Sequence, residues 1–183
     1  MAALETARHK LLFAVRRSVR YHLRRRSFFE TWNTITNALA VIFGSAAIGG
    51  ALKEGYAPLA VVSGALVTFF SSINLVVGTV RKARTHEDLS RRFFALERDI
   101  IQASEYDELA LSAFTARRLE IESDEPPILK VLDSVCHNEL LRAMGYGNEY
   151  FLKIGWIQRL LRHFCDYREH AIRATGSAII PPV

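Results

Sequence analysis

Charge is what this chain lacks over its most distinctive stretch. Between Glu30 and Lys53 there is no charged residue for 22 positions, and between Glu54 and Arg81 none for 26. Acidic residues are also scarce early: only Glu5 and Glu30 precede residue 31. Cysteine is nearly absent. Cys136 and Cys165 lie far apart, which excludes a disulfide-stapled scaffold and fits reduced core thiols. Catalytic signatures are missing too. The chain has no phosphate-cradling glycine loop, no nucleophile elbow and no HExxH, and nothing in it recommends an enzyme or a cofactor. No zinc-finger spacing, helix-turn-helix signal or aromatic RNA-binding motif accompanies the net charge of +5, so nucleic acid is not expected as a partner.

What is present is two apolar segments, TWNTITNALAVIFGSAAIGGAL and GYAPLAVVSGALVTFFSSINLVVGTV. A helix rises about 1.5 Å per residue and bilayer hydrocarbon is about 30 Å thick, so each is long enough to span. Neither carries the polar face that a soluble surface helix of that length needs. Residues 31–80 are therefore read as a transmembrane hairpin. The competing reading is a hairpin buried at the heart of a soluble bundle. The first apolar run begins too late and runs too long for a secretory signal.

Eight Lys and Arg residues precede the first segment, Arg81, Lys82, Arg84, Arg91 and Arg92 follow the second, and the connecting turn has only Lys53. The positive-inside rule then places both termini in the cytoplasm and the turn outside. Residues 1–30 read as a basic amphipathic helix with Leu12, Val15, Val19 and Leu23 recurring at helical spacing. Such a helix either lies in the lipid interface or packs on the cytosolic helices. Arg24, Arg25 and Arg26, followed by Phe28, Phe29 and Trp32, form a cationic collar and aromatic belt at the membrane edge. With Arg81, Lys82 and Arg84 they are the candidate contacts to lipid headgroups.

Within the first segment Ala40, Gly44, Ala47 and Ala51 form a small-residue stripe, the candidate helix-packing face. Asn37 and Asn74 fall at equal depth from the cytosolic side, roughly 9 Å in. A carboxamide facing lipid alone is costly, so each should meet protein or water. Two outcomes are open, an interhelical hydrogen bond or a polar layer in an oligomeric pore. Thr34, Asn37, Thr68, Ser71 and Asn74 are the candidate pore-lining or interhelical polar residues.

Residues 81–173 read as a cytosolic helical bundle, giving an all-α fold. The second span should run on as a helix in which Leu89, Phe93, Leu96, Ile100 and Ala103 form a seam, either a short coiled coil or an intramolecular core. Helices are expected from Leu109 to about Glu122, from Ile128 to Met144, and from Gly155 to about Arg173, with Ser123-Asp124-Glu125-Pro126-Pro127 as punctuation that ends the first of these and caps the second. Residues 174–183 should be a frayed tail, and no strand is expected. The cluster Glu120, Glu122, Asp124, Glu125, Asp133, Cys136, His137 and Glu139 matches no metal-site spacing. Ion pairs with the basic helices are the expected use of those carboxylates.

The order of these features resembles a known family. YHLRRRSFFETW, two closely spaced spans, RKARTHEDLSRRFFALERDI and the later RRLEIESDEPPILKVLDSVCHNELLRAMG are similar to the SLATT proteins, bacterial two-transmembrane effectors found beside nucleotide-signalling and other conflict systems. The resemblance covers roughly Arg16 to Phe164 and rests on organisation more than on any one motif. It implies a homo-oligomer that opens a pore or disrupts the bacterial inner membrane when triggered, and it leaves open whether a cytosolic protein or a small molecule is the trigger. A membrane-anchored module that recruits a protein partner is the rival reading.

Overall fold

The computed structural model describes residues 2–103 and 106–176. It is helical almost throughout: α1 (Ala2–Leu52), α2 (Ala57–Val77), α3 (Thr79–Gln102), α4 (Glu108–Ser123), α5 (Lys130–Ala143) and the short α6 (Trp156–Leu161). A two-residue antiparallel ladder pairs β1 (Leu152–Lys153) with β2 (Arg173–Ala174). The first thirty residues are not a separate helix. They are continuous with the first apolar segment in α1, because the change at residue 31 is one of charge and not of helix propensity: neither glycine nor proline occurs before Gly44.

The chain divides into two compact units, residues 25–86 and residues 1–24 with 87–183. In the first unit α1 and α2 form a hairpin. Gly55, at φ +84°, supplies the left-handed turn, Tyr56 N–H bonds to Lys53 O, and Pro58 occupies the first turn of α2, where its missing N–H leaves no bond unmade. Both helices are long and apolar enough to cross a membrane, and only 11% and 6% of their most apolar 18-residue windows are buried. That proportion is the reverse of a soluble core helix. Leu75 and Val76, at 83% and 86% exposure, are at the upper end of the outer surface.

The seam between α1 and α2 has a regular register. Asn33, Thr36, Ala40, Phe43, Ala47 and Gly50 are buried or half-buried on α1, at alternating steps of three and four. Ala60, Ser63, Val67, Phe70, Asn74 and Val77 repeat the pattern on α2. Phe43 and Phe70 stack with ring centroids 6.3 Å apart. At Gly50 the backbones approach so closely that a Cβ would lie 3.0 Å from Ala60 N. The expected small-residue stripe is thus one position off at its end. Ala40, Gly44 and Ala47 are half-buried, but Ala51 is exposed and Gly50 takes its place.

The second span does not run uninterrupted into α3. Gly78 adopts a left-handed conformation (φ +63°, ψ +45°) and closes α2 by donating its N–H to Asn74 O. At the hairpin's charged end Phe29 is buried, stacked on buried His86 with centroids 5.8 Å apart and faced by Arg25 and Lys82 at 4.6 and 5.6 Å. Of the expected aromatic belt, Phe29 therefore turns inward, and only Phe28 and Trp32 remain half-exposed.

In the second unit, Leu11, Val15 and Val19 of α1 share a core with Leu89, Phe93, Leu96 and Ile100 of α3 and Ile121 of α4. The α3 stripe is thus an intramolecular core. Leu23 is exposed and Leu12 only half-buried, so the apolar face of α1 is rotated toward Leu11. A different face of α1 carries Phe13, which packs with Leu140 and Leu141, and Tyr21, which packs with Leu132 and Cys136.

The last expected helix is much shorter than its sequence suggested. It ends at Leu161, and Arg168 lies at φ +49°. Long-range bonds hold the following segment open. Asp166 accepts from the N–H groups of Lys130 and Val131, both at 3.0 Å, and Gln158 donates to the carbonyls of Tyr167 and Arg168. The expected local cap of α5 is replaced by this remote one: Leu129 at the N-cap provides no side-chain acceptor. Of the expected tail, Ala174 sits in the ladder and Thr175 N–H bonds Phe151 O, while residues 177–183 lie outside the described residues.

Candidate functional site: a polar clasp in the hairpin

Polar side chains gather where α2 ends. Asn74 is the hub. Its Nδ2 donates to Asn33 Oδ1 at 2.9 Å, joining α2 to α1, and its Oδ1 accepts from the hydroxyl of buried Thr79, joining α2 to the start of α3. Buried Thr36 satisfies its own hydroxyl on the carbonyls of Trp32 and Asn33. Thr36, Asn37, Ser71, Asn74, Thr79 and Arg81 share a groove of about 380 Å³ with Phe70, Leu75, Gly78 and Val80.

An interhelical carboxamide bond was one of the two expected outcomes, and it forms, but the partner is Asn33. Asn33 is one turn nearer the charged end than Asn37. It lies on the seam register, whereas Asn37 follows Thr36 and is rotated about 100° off it. Asn37 and Ser71 face the groove and are exposed. Thr34 and Thr68 are exposed as well, yet each hydroxyl donates to the carbonyl four residues back, Glu30 and Gly64. Both are therefore satisfied without a neighbour. Asn33, Thr36, Ser63, Thr79 and Gly50 complete the seam and were not singled out from sequence. A strict alternation of three and four from Asn33 would have found the α1 members.

The candidate headgroup contacts divide. Arg24 is committed to Glu139 through Nε and Nη2 at 2.8 and 2.5 Å, and Arg26 pairs with Glu30 at 2.8 Å. Arg25 lies over the rings of Phe28 and Phe29. Arg81, Lys82 and Arg84 are exposed.

The acidic segment is neutralised by basic side chains. Arg17 reaches Asp133 at 3.1 Å, Arg92 reaches Asp124 at 2.6 Å, and Arg118 reaches Glu122 at 2.7 Å. His22 Nε2 lies 3.0 Å from Glu125 Oε1, with the two side chains 1% and 5% exposed, and the imidazole stacks on Phe93. Burial pushes the Asp133 carboxyl above its ordinary value, against the opposing pull of Arg17. Burial also lifts the Cys136 thiol to about 12, which keeps it protonated and inert at neutral pH. Among the described residues no group of His, Cys, Asp and Glu is arranged to hold a metal ion.

Comparison with family models, with curated proteins and with solved structures yields no match to this chain. Its function must be argued from the residues above.

Proposed function

We propose that this protein is a two-span membrane effector that associates into an oligomer and opens a pore or channel, with both termini on the cytoplasmic side. The observation that carries the reading is the division of polar groups in the hairpin. Asn33, Thr36, Asn74 and Thr79 bond within it, whereas Asn37 and Ser71 stand exposed in the groove beside them, on a mostly apolar exterior where Thr34, Ser45 and Thr68 satisfy themselves on their own helix. In hydrocarbon an exposed carboxamide is costly, and a neighbouring subunit or a water-filled path removes that cost. The large apolar side chains exposed along both helices, among them Val41, Val61, Phe69, Leu75 and Val76, support lipid as their solvent. The setting in bacterial conflict rests on the SLATT resemblance, which does not fix whether a cytosolic protein or a small molecule is the trigger.

The test is dye or ion leakage from liposomes, with subunit stoichiometry measured in mild detergent. Wild type should release contents as an oligomer, and Asn37→Leu with Ser71→Leu should abolish release while leaving the internal clasp and the fold intact. A monomer that never conducts under any trigger overturns the reading.

A second reading is favoured by α4, where Leu109 and Leu119 are 77% and 58% exposed. Such a face suits recruitment of a protein partner, with the hairpin as a mere anchor. Exchanging the hairpin for an unrelated one separates the two: retained activity supports the anchor, loss supports the pore.

A further inference from the structure

We propose that the groove between α5 and α6 is a phosphate-binding site. Arg142 of α5, Arg159 of α6 and Arg162 at the end of α6 line a groove of about 180 Å³ with Asn138 and Glu139. Glu139 is the only carboxylate among the lining residues, and both its oxygens are taken by Arg24. Asn138 is equally committed: its amide donates to Leu152 O, and its carbonyl accepts from Leu152 N–H, both at 2.8 Å. These two residues therefore brace the wall and leave its charge to the arginines.

Among the described residues none of Arg142, Arg159 and Arg162 pairs with a carboxylate, in a chain whose other arginines mostly do. Arg142 rests instead on the face of Phe151 at 5.0 Å, which fixes its guanidinium without neutralising it. Arg159 and Arg162 are three residues apart and so share one side of their helical turn. Three like charges at one groove repel one another, and a tetrahedral dianion relieves that repulsion while accepting several N–H donors. Size narrows the ligand. At about 180 Å³ the groove has room for a phosphoryl group but falls short of the ~300 Å³ of pockets that enclose larger organic ligands. A phosphomonoester on a soluble metabolite and one on a lipid headgroup present the same oxygens. The inference goes beyond the pore reading and does not need it, because binding is read without conductance.

The experiment is thermal unfolding of the full chain in nanodiscs. Inorganic phosphate is compared with chloride at equal ionic strength in phosphatidylcholine discs, and discs containing phosphatidic acid are compared with pure phosphatidylcholine. Phosphate should raise the wild-type midpoint by a few degrees. Arg159→Gln with Arg162→Gln should lose that shift, while the charge-matched control Lys10→Gln with Arg91→Gln keeps it. Protection by phosphatidic acid alone, lost in the same double variant, assigns the phosphate to a lipid. Should the glutamine variant fail to fold, Arg159→Lys with Arg162→Lys keeps the charge but loses the planar fork, and at least a several-fold weakening of phosphate binding is expected. No protection from either source, or equal protection of wild type and variants, overturns the proposal.

Discussion

At the residue scale, the decisive side chain is Asn74, which bonds to α1 and to the start of α3 at once. Replacing Asn74 by Leu leaves Asn33 and Thr79 without their partner, and should cost about 1–2 kcal/mol, in line with interhelical hydrogen bonds in membranes. A double-mutant cycle of Asn33→Ala and Asn74→Ala, read by unfolding in detergent, should give a coupling of about 0.5–1.5 kcal/mol. Zero coupling removes the clasp. Asp133 offers a second prediction. Because its folded-state carboxyl is held above the ordinary value, the protonated form is favoured on folding. That contribution is fully present below the unfolded carboxylate pKa of about 3.9 and is lost as pH rises through the folded value. Wild type should therefore lose stability relative to Asp133→Asn as pH rises above about 4. A gap that moves the other way, followed by denaturation at each pH, contradicts the burial argument.

At the scale of elements, much was legible and the failures are instructive. The periodic stripe Leu89, Phe93, Leu96 and Ile100 is buried, while its expected last member, Ala103, is half-buried just past the end of α3, and α4 begins and ends within a residue of its expected limits. Local pattern suffices where one face meets one neighbour. It fails at α6, because nothing near Leu161 announces an end: the segment after it is drawn into bonds with α5 and Gln158 that only the fold reveals. It fails again at Gly78, through which the second apolar segment was expected to run on as one helix and which acts instead as a left-handed helix stop. In the clasp, depth along the hairpin was legible but angular position was not, so Asn37 was matched with Asn74 while Asn33 held the seam. The remote cap of α5 is directly testable. Asp166→Ala removes both acceptors of the Lys130 and Val131 N–H groups and should cost about 0.5–2 kcal/mol. The midpoint of chemical unfolding reports it, and an unchanged midpoint argues that water caps α5 equally well.

For the whole molecule, the two units use charge in opposite ways. Residues 25–86 keep charge at the ends and leave an uncharged, largely exposed pair of helices between them. The remainder sets Arg17 and Arg24 of α1 and Arg92 of α3 against Asp133, Glu139 and Asp124 of the α4–α5 region. Partly exposed pairs of this kind contribute little stability each, and their number fixes register more than it adds free energy. The membrane reading follows from the first unit alone and stands or falls with its topology. The most direct measurement is labelling of single cysteines by a membrane-impermeant maleimide, in intact and in permeabilised cells. The background is Cys165→Ala, in which the remaining Cys136 is buried and protonated. Lys53→Cys, in the turn between the helices, should label from outside intact cells, and Lys10→Cys only after permeabilisation. Labelling of both positions only after permeabilisation, or of neither in preference to the other, would contradict a hairpin that crosses the bilayer.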